Sequence, residues 1–234
     1  AVRVVDTTNS ETKADTPVFT VKGELSGTNT SDTWQIGTSH NITWDVAHGN
    51  IVNVKIIGSR SGNFTGGADE FTIASSADAD NITAFDPANF GTLGYAAQGS
   101  YAWNITELTP SIISEDVKIK ILDANTNYDV SNVPGATFNI RGRFEVTAPT
   151  LGDTIVIEDT TPFNITWNKW GDIATVQIQY STDSVGGVGG TWTDVVASTD
   201  NDGVYEWTAP NTVPISTNLF IKVVDNTVAG GVYD

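Results

Sequence analysis

The chain has 234 residues, 39% of them apolar and 17% charged, with a formal net charge of −17. That charge argues against nucleic acid and anionic membrane surfaces as partners, because both need Lys and Arg to neutralise phosphate. With no Cys there is neither a disulfide framework nor thiol chemistry, and no apolar run is long enough to insert directly into a membrane.

Residues 1–22 hold two apolar alternating stretches, Val2-Arg3-Val4-Val5-Asp6 and Phe19-Thr20-Val21-Lys22. They read as a strand segment that belongs to, or is donated to, a preceding module. Residues 23–142 read as a first module. Asn41-Ile42-Thr43-Trp44 alternates with period two, which puts Ile and Trp on one face and Asn and Thr on the other. Val54 and Ile56 mark a further strand. A variable middle near 59–99 contains Asp69-Glu70, Asp78-Ala79-Asp80-Asn81 and Phe85-Asp86-Pro87. It reads as an insertion on the surface of the module. Gly99-Ser100-Tyr101-Ala102-Trp103, Val117–Asp123 and Phe138-Asn139-Ile140-Arg141-Gly142 follow as alternating strands.

Residues 143–234 repeat this order. Asn164-Ile165-Thr166-Trp167, then Val176, Ile178 and Tyr180, then Gly203-Val204-Tyr205-Glu206-Trp207, and then Leu219–Asp225 match the first module. No third copy of Phe-X-Ile/Val-basic-Gly, after Phe19–Gly23 and Phe138–Gly142, follows Asp225. The second module is therefore expected to lack its last strand. Phe19 and Val21 are expected to fill that place in a neighbouring unit. Val2, Val4, Phe19, Val21, Phe220 and Val223 are the candidate strand-complementation residues. Short alternating strands, turn residues between them and inward Trp and Tyr predict an all-β fold of two tandem immunoglobulin-like sandwiches.

The chemistry-bearing residues are few. His40 and His48 flank one strand outside any nucleophile motif and read as exposed loop residues, so no catalytic residue and no enzyme activity are expected. Asp123, Asn125, Asn127 and Asp129 alternate in a loop after an apolar strand, as hard-cation ligands do, which makes calcium the cofactor to test. The plain alternative is Asx-turn formation. Thr199–Gly203 and Asp78–Asp80 are secondary candidates of the same kind. Asn29, Asn41, Asn63, Asn81, Asn104 and Asn164 stand in Asn-X-Ser/Thr sequons and are candidate glycosylation sites. Trp170 follows Asn168-Lys169 and breaks the inward phase. It reads as a contact to the neighbouring module, or else as a sugar-stacking platform with Tyr95.

The order Asn-Ile-Thr-Trp, Gly-Ser-Tyr-Ala-Trp, Val-Lys-Ile-Lys-Ile-Leu-Asp and Phe-Asn-Ile resembles the immunoglobulin-like domain of fungal cell-wall glucan-assembly (KNH-like) proteins. It is similar also to tandem repeats of large bacterial and archaeal surface proteins. The resemblance implies a secreted, wall- or surface-associated β-sandwich, and it carries over no catalytic residue. Tyr180-Ser181-Thr182-Asp183 through Gly190-Thr191-Trp192-Thr193 resembles the structural Asp-box hairpin of sialidase-like proteins. The expectation is a structural subunit or repeat segment of an extracellular filament, sheath, S-layer or stalk, joined head to tail by strand complementation or by covalent tandem repetition. Its partners would be copies of itself or adjacent repeats, head to tail, and cell-wall glycan. The alternative is a carbohydrate-binding or adhesin module pair.

Overall fold

The computed structural model describes residues 1–19, 23–27, 32–48, 51, 53–78, 97–124, 131–133, 135–158 and 160–225. Among these no helix is long and apolar enough to cross a membrane. The chain starts with a two-stranded antiparallel ribbon of β1 (Arg3–Val5) and β2 (Lys13–Asp15). The Arg3 guanidinium donates to both carboxylate oxygens of Asp15, at 2.6 and 3.0 Å. Asp6 accepts from the backbone and hydroxyl of Thr8 and turns the chain. The ribbon pairs with no other described strand.

The first core is built by β3 (Glu24–Gly27), β4 (Thr33–Gln35), β5 (Ser39–His48), β6 (Asn53–Ser59), β7 (Glu70–Asp78), β8 (Ala97–Asn104), β9 (Ser114–Asp123), β10 (Ser131–Asn132) and β11 (Phe138–Arg141). One sheet runs β3-β5-β8. The other runs β4-β11-β9-β6-β7, with β10 on β9. Period-two patterning turns Ile42 and Trp44 of one sheet toward Val54, Ile56, Ile119 and Ile121 of the other. Gly99 lies across the ladder from Trp44. A Cβ there would stand 2.2 Å from the indole, so the glycine of the Gly-X-Tyr-X-Trp motif makes room for the tryptophan.

The second core repeats this plan with β12 (Arg143–Ala148), β13 (Phe163–Trp170), β14 (Thr175–Ser181), β15 (Thr193–Asp200), β16 (Val204–Trp207) and β17 (Phe220–Asp225). Its sheets run β12-β13-β16 and β15-β14-β17. The registers agree between the halves. Ile42 opposes Tyr101 as Ile165 opposes Tyr205, and Val54 opposes Asp123 as Val176 opposes Asp225. Both halves are immunoglobulin-like sandwiches of two facing sheets.

His40 departs from expectation. It lies within β5, half-buried, and its ring stacks on Trp34 with centroids 4.5 Å apart and planes at 10°. Burial lowers its basicity, against the raising field of Asp32. The alternation continues through His40, and the backbone of His48 also belongs to β5.

Asn201 pins the second core. It is buried, accepts from Trp167 Nε1 at 2.8 Å and donates to the Ile173 carbonyl at 2.8 Å. Its own carbonyl accepts from Lys169 Nζ. Asn201→Leu would leave the indole N–H and the Ile173 carbonyl buried without partners. It should lower unfolding stability by about 2–4 kcal/mol, read from denaturant melts. A change below about 0.5 kcal/mol would contradict this role.

Candidate functional site

The functional candidate is an edge. In the first core β11 is inserted between β9 and β4, antiparallel to one and parallel to the other. Phe138 and Ile140 point into the core and are buried. Phe138 packs on Trp34 at 4.5 Å between ring centroids. Asn139 points outward, its Nδ2 3.5 Å from Thr33 Oγ1. Each inner backbone group of β11 thus has a strand on either side, and the sheet edge is displaced to the short β4.

Among the described residues, the second core keeps the counterparts of these flanks without a strand between them. Gly37 N donates to the Ile105 carbonyl at 2.8 Å, and Glu158 N donates to the Ala209 carbonyl at 2.8 Å. Ile105 and Ala209 close matching Gly-X-Tyr-X-Trp-X-apolar runs, so Gly37 and Glu158 are counterparts. Both have positive φ, 87° and 55°. Glu158 therefore holds a left-handed conformation that glycine serves in the first core. Counting back from this anchor, Thr154-Ile155-Val156 occupies the place of Thr33-Trp34-Gln35. It forms no ladder with any described strand.

β17 is the edge strand of its sheet among the described residues. The burial pattern traces what its counterpart β9 has beside it. Val117, Ile119 and Trp34 are buried, whereas their counterparts Leu219, Ile221 and Ile155 are only half-buried. Val223 lies fully in the core, as its phase requires, and Phe220 lies on the opposite phase of the strand. At the other end of the chain Val2, Val4 and Phe19 are 50%, 68% and 51% exposed. Val21 lies outside the described residues.

A second element is the joint between the cores. Trp170, at the end of β13, packs against the first core as well as its own strand. A Cβ on Gly37 would stand 3.2 Å from its Cδ1. The Arg143 guanidinium lies over the indole at 3.9 Å from the ring centre. Ile113 packs against both cores, and Asp172 N donates to Glu107 Oε2 at 3.1 Å. Gly142 is required at the crossing, because its Cβ would meet Ile173 Cδ1 at 2.5 Å and the Trp170 carbonyl at 2.7 Å. Trp170 is thus an intramolecular contact, as its break in phase suggests, with Gly37 and the Arg143 guanidinium both against its indole.

The remaining candidates separate. Asn41, Asn104 and Asn164 are exposed on outward strand phases, and Asn63 is exposed in a loop. Asn29 and Asn81 lie outside the described residues. Asp123 ends β9, while Asn125, Asn127 and Asp129 lie outside the described residues. Among the described residues no group of three or more acidic or histidine side chains could hold a metal ion. Asn201 of the secondary cluster has both ends of its amide committed to the core.

The Asp-box-like hairpin is stapled by Asp183, which accepts from Thr191 N at 2.7 Å and Ser181 Oγ at 2.8 Å. These bonds, led by that from Thr191, hold its carboxyl below the ordinary range. Asp69 plays the same part in the first variable loop, accepting from Ser59 Oγ, Ser61 N and Thr65 N at 2.8–3.1 Å. Burial pushes this carboxyl up, but the hydrogen bonds from Ser59, Ser61 and Thr65 together outweigh it and hold it below the ordinary range.

Sequence reasoning misses β4 and its counterpart Thr154–Val156. A three-residue strand between turns has too little alternation to register, and the shared Asp-Thr dipeptide, Asp32-Thr33 and Asp153-Thr154, is the one cue available. Arg60 is missed as well. Its guanidinium donates to the Ser111 and Pro110 carbonyls at 2.7 Å each and to the Ala68 carbonyl, tying its own loop to the one before β9.

No family model matches the chain, and no curated protein matches it. Solved structures similar to it include the following two. One contains the fibronectin(III)-like modules of Clostridium thermocellum CbhA, at 12% identity and a TM-score of 0.26, covering 90% of each chain. The other is DIP-gamma IG1+IG2, at 11% identity and a TM-score of 0.27, covering 90% of this chain and 94% of that one.

Two measurements test these local roles. Trp170→Ala should cost about 2–3 kcal/mol and split the thermal transition into two, because it removes the packing that couples the cores. A single unshifted transition would contradict the coupling. Asp69→Asn should lose about 1–3 kcal/mol at neutral pH. A carboxyl lowered by folding contributes its stability above the unfolded-state value and loses it as pH falls through the folded one. The gap to wild type should therefore shrink progressively below about pH 4. A gap constant down to the acid limit of folding would overturn this assignment.

Proposed function

We propose that this chain is a structural unit of an extracellular surface assembly, in which successive units join head to tail through a strand of one and the open edge of the next. One observation carries the reading: β11 closes the first core between β9 and β4, while the corresponding edge at β17 has no described strand on it. A sheet edge on which no described strand lies, beside half-covered apolar side chains, favours strand addition. The exposed Val2, Val4 and Phe19 supply apolar surface of the kind that needs a partner.

A contact between two different surfaces of one protein propagates into a fibre unless its rotation closes a ring. The motif resemblance to cell-wall and bacterial or archaeal surface repeats supports an extracellular setting. The outward Asn41, Asn104 and Asn164 leave room for glycans on the strand faces. The loop after Asp123 offers oxygen ligands for calcium by its sequence, with Asn125, Asn127 and Asp129 as partners.

Electron microscopy of the concentrated wild-type chain tests this. Fibres or sheets with an axial repeat of one chain are expected, and Phe19→Asp/Val21→Asp should disperse them into single particles. Dispersed wild-type particles at every concentration, or unchanged fibres from the double variant, would sink the proposal.

A further inference from the structure

If units join as proposed above, the fold also specifies which residues meet, and this further step rests on that reading. The slot that β11 fills in the first core has two walls, β9 on the antiparallel side and β4 on the parallel side. The second core carries the counterparts of both. Extending the β17 register backward, Ser216 and Leu219, just before the strand, correspond to Ser114 and Val117. By the shared hydrogen bond at Gly37 and Glu158, Thr154–Val156 stands where Thr33–Gln35 stands. No described strand lies between these walls.

We infer that the slot receives residues Phe19–Lys22 of a second copy of this chain, in the register that β11 adopts in the first core. Phe138 opposes Val117 and Ile140 opposes Ser114, so Phe19 takes its place opposite Leu219 and Val21 opposite Ser216. On the parallel side Asn139, Ile140 and Arg141 oppose Thr33, Trp34 and Gln35, so Thr20, Val21 and Lys22 align with Thr154, Ile155 and Val156. Phe19 and Val21 enter the core and cover Leu219, Ile221 and Ile155. Thr20 and Lys22 remain at the surface.

Four observations select this occupant. Phe19-Thr20-Val21-Lys22-Gly23 repeats the pattern of Phe138-Asn139-Ile140-Arg141-Gly142 residue for residue, including the glycine that the joint requires. In its own chain the matching slot of the first core already holds β11, and Phe19 is 51% exposed. The ribbon before it repeats the hairpin before β11: Val5 opposes Lys13 and Val4 opposes Ala14, as Leu122 opposes Ser131 and Ile121 opposes Asn132. Finally, Ile215 is 95% exposed at the position where Ile113 is half-buried against the next core. A second copy arriving through this strand brings its own first core to that position.

The register can be read directly, because the chain contains no cysteine. A Thr20→Cys chain and a Thr154→Cys chain, distinguished by a mass tag, are mixed and oxidised. Thr33→Cys with Asn139→Cys in one chain is the geometric control, since those side chains already meet at 3.5 Å. The expected product is a disulfide-linked heterodimer that reductant dissolves, and replacing Thr154→Cys by Val156→Cys should cut the yield about tenfold or more, since the pair is then two residues out of register.

Absence of the heterodimer while the control closes overturns the register. Fibres persisting in that sample would leave head-to-tail joining standing without it, whereas dispersed particles would remove both. A Thr20→Cys/Thr154→Cys double variant that closes within one chain overturns the second copy as occupant.

Discussion

The pairing of one strand, β11, governs this architecture. It is short, four residues, yet it satisfies the free edges of β9 and β4 together and places Phe138 and Ile140 under the first core. Backbone groups at a sheet edge stay satisfied only by water or by another strand, and apolar side chains beside such an edge lose their cover when no strand comes. Among the described residues, the two halves differ in this respect within one sequence. Where β11 is present, Val117 and Ile119 are buried. At the matching edge of β17, Leu219 and Ile221 remain half-buried.

The joint makes the two halves one object. Only Gly142 separates β11 from β12, so the strand that closes the first core runs directly into the strand that begins the second. Trp170 then fills the corner, with Gly37 and the Arg143 guanidinium both against its indole. Closing a sheet and orienting the next module are therefore the same structural event. A strand arriving from another copy with the same trailing glycine would orient that copy by the same geometry, which turns a local pairing into a repeat along an axis.

Most of this fold is legible in the sequence, because period-two alternation survives in β5, β9 and β13 and the two halves check one another. Asn-Ile-Thr-Trp and Gly-X-Tyr-X-Trp mark partner strands in both halves, and their ladders share a register. The phase break at Trp170 points to the joint. The parallel strand β4 is not legible, since three residues between turns carry no period and parallel pairing brings together segments more than a hundred positions apart. His40 shows the same limit: a histidine on a strand can be half-buried by stacking on Trp34, which spacing does not reveal. Asn201 reads as one more polar turn residue, and only the packed core shows that Trp167 and Ile173 both need its amide. The loop of Asn125, Asn127 and Asp129 lies outside the described residues.

Charge decides what kind of contact could join such units. A chain with 28 acidic and 11 basic side chains repels its copies, and that repulsion is strong at low ionic strength and screened beyond about 8 Å in physiological salt. Surface ion pairs offer little against it. A strand set between two others gains backbone hydrogen bonds and apolar cover, neither of which depends on net charge. The scarce cations are also placed with economy. Arg141 and Arg143 flank the crossing between the cores, Arg141 paired with Glu115 at 3.0 Å and Arg143 lying on Trp170. The segment that repeats β11 carries Lys22 where β11 carries Arg141. An acidic polymer built this way would cohere through main-chain pairing, bring a positive charge to each joint, and keep its faces mutually repulsive, so that growth along the axis is favoured over lateral clumping.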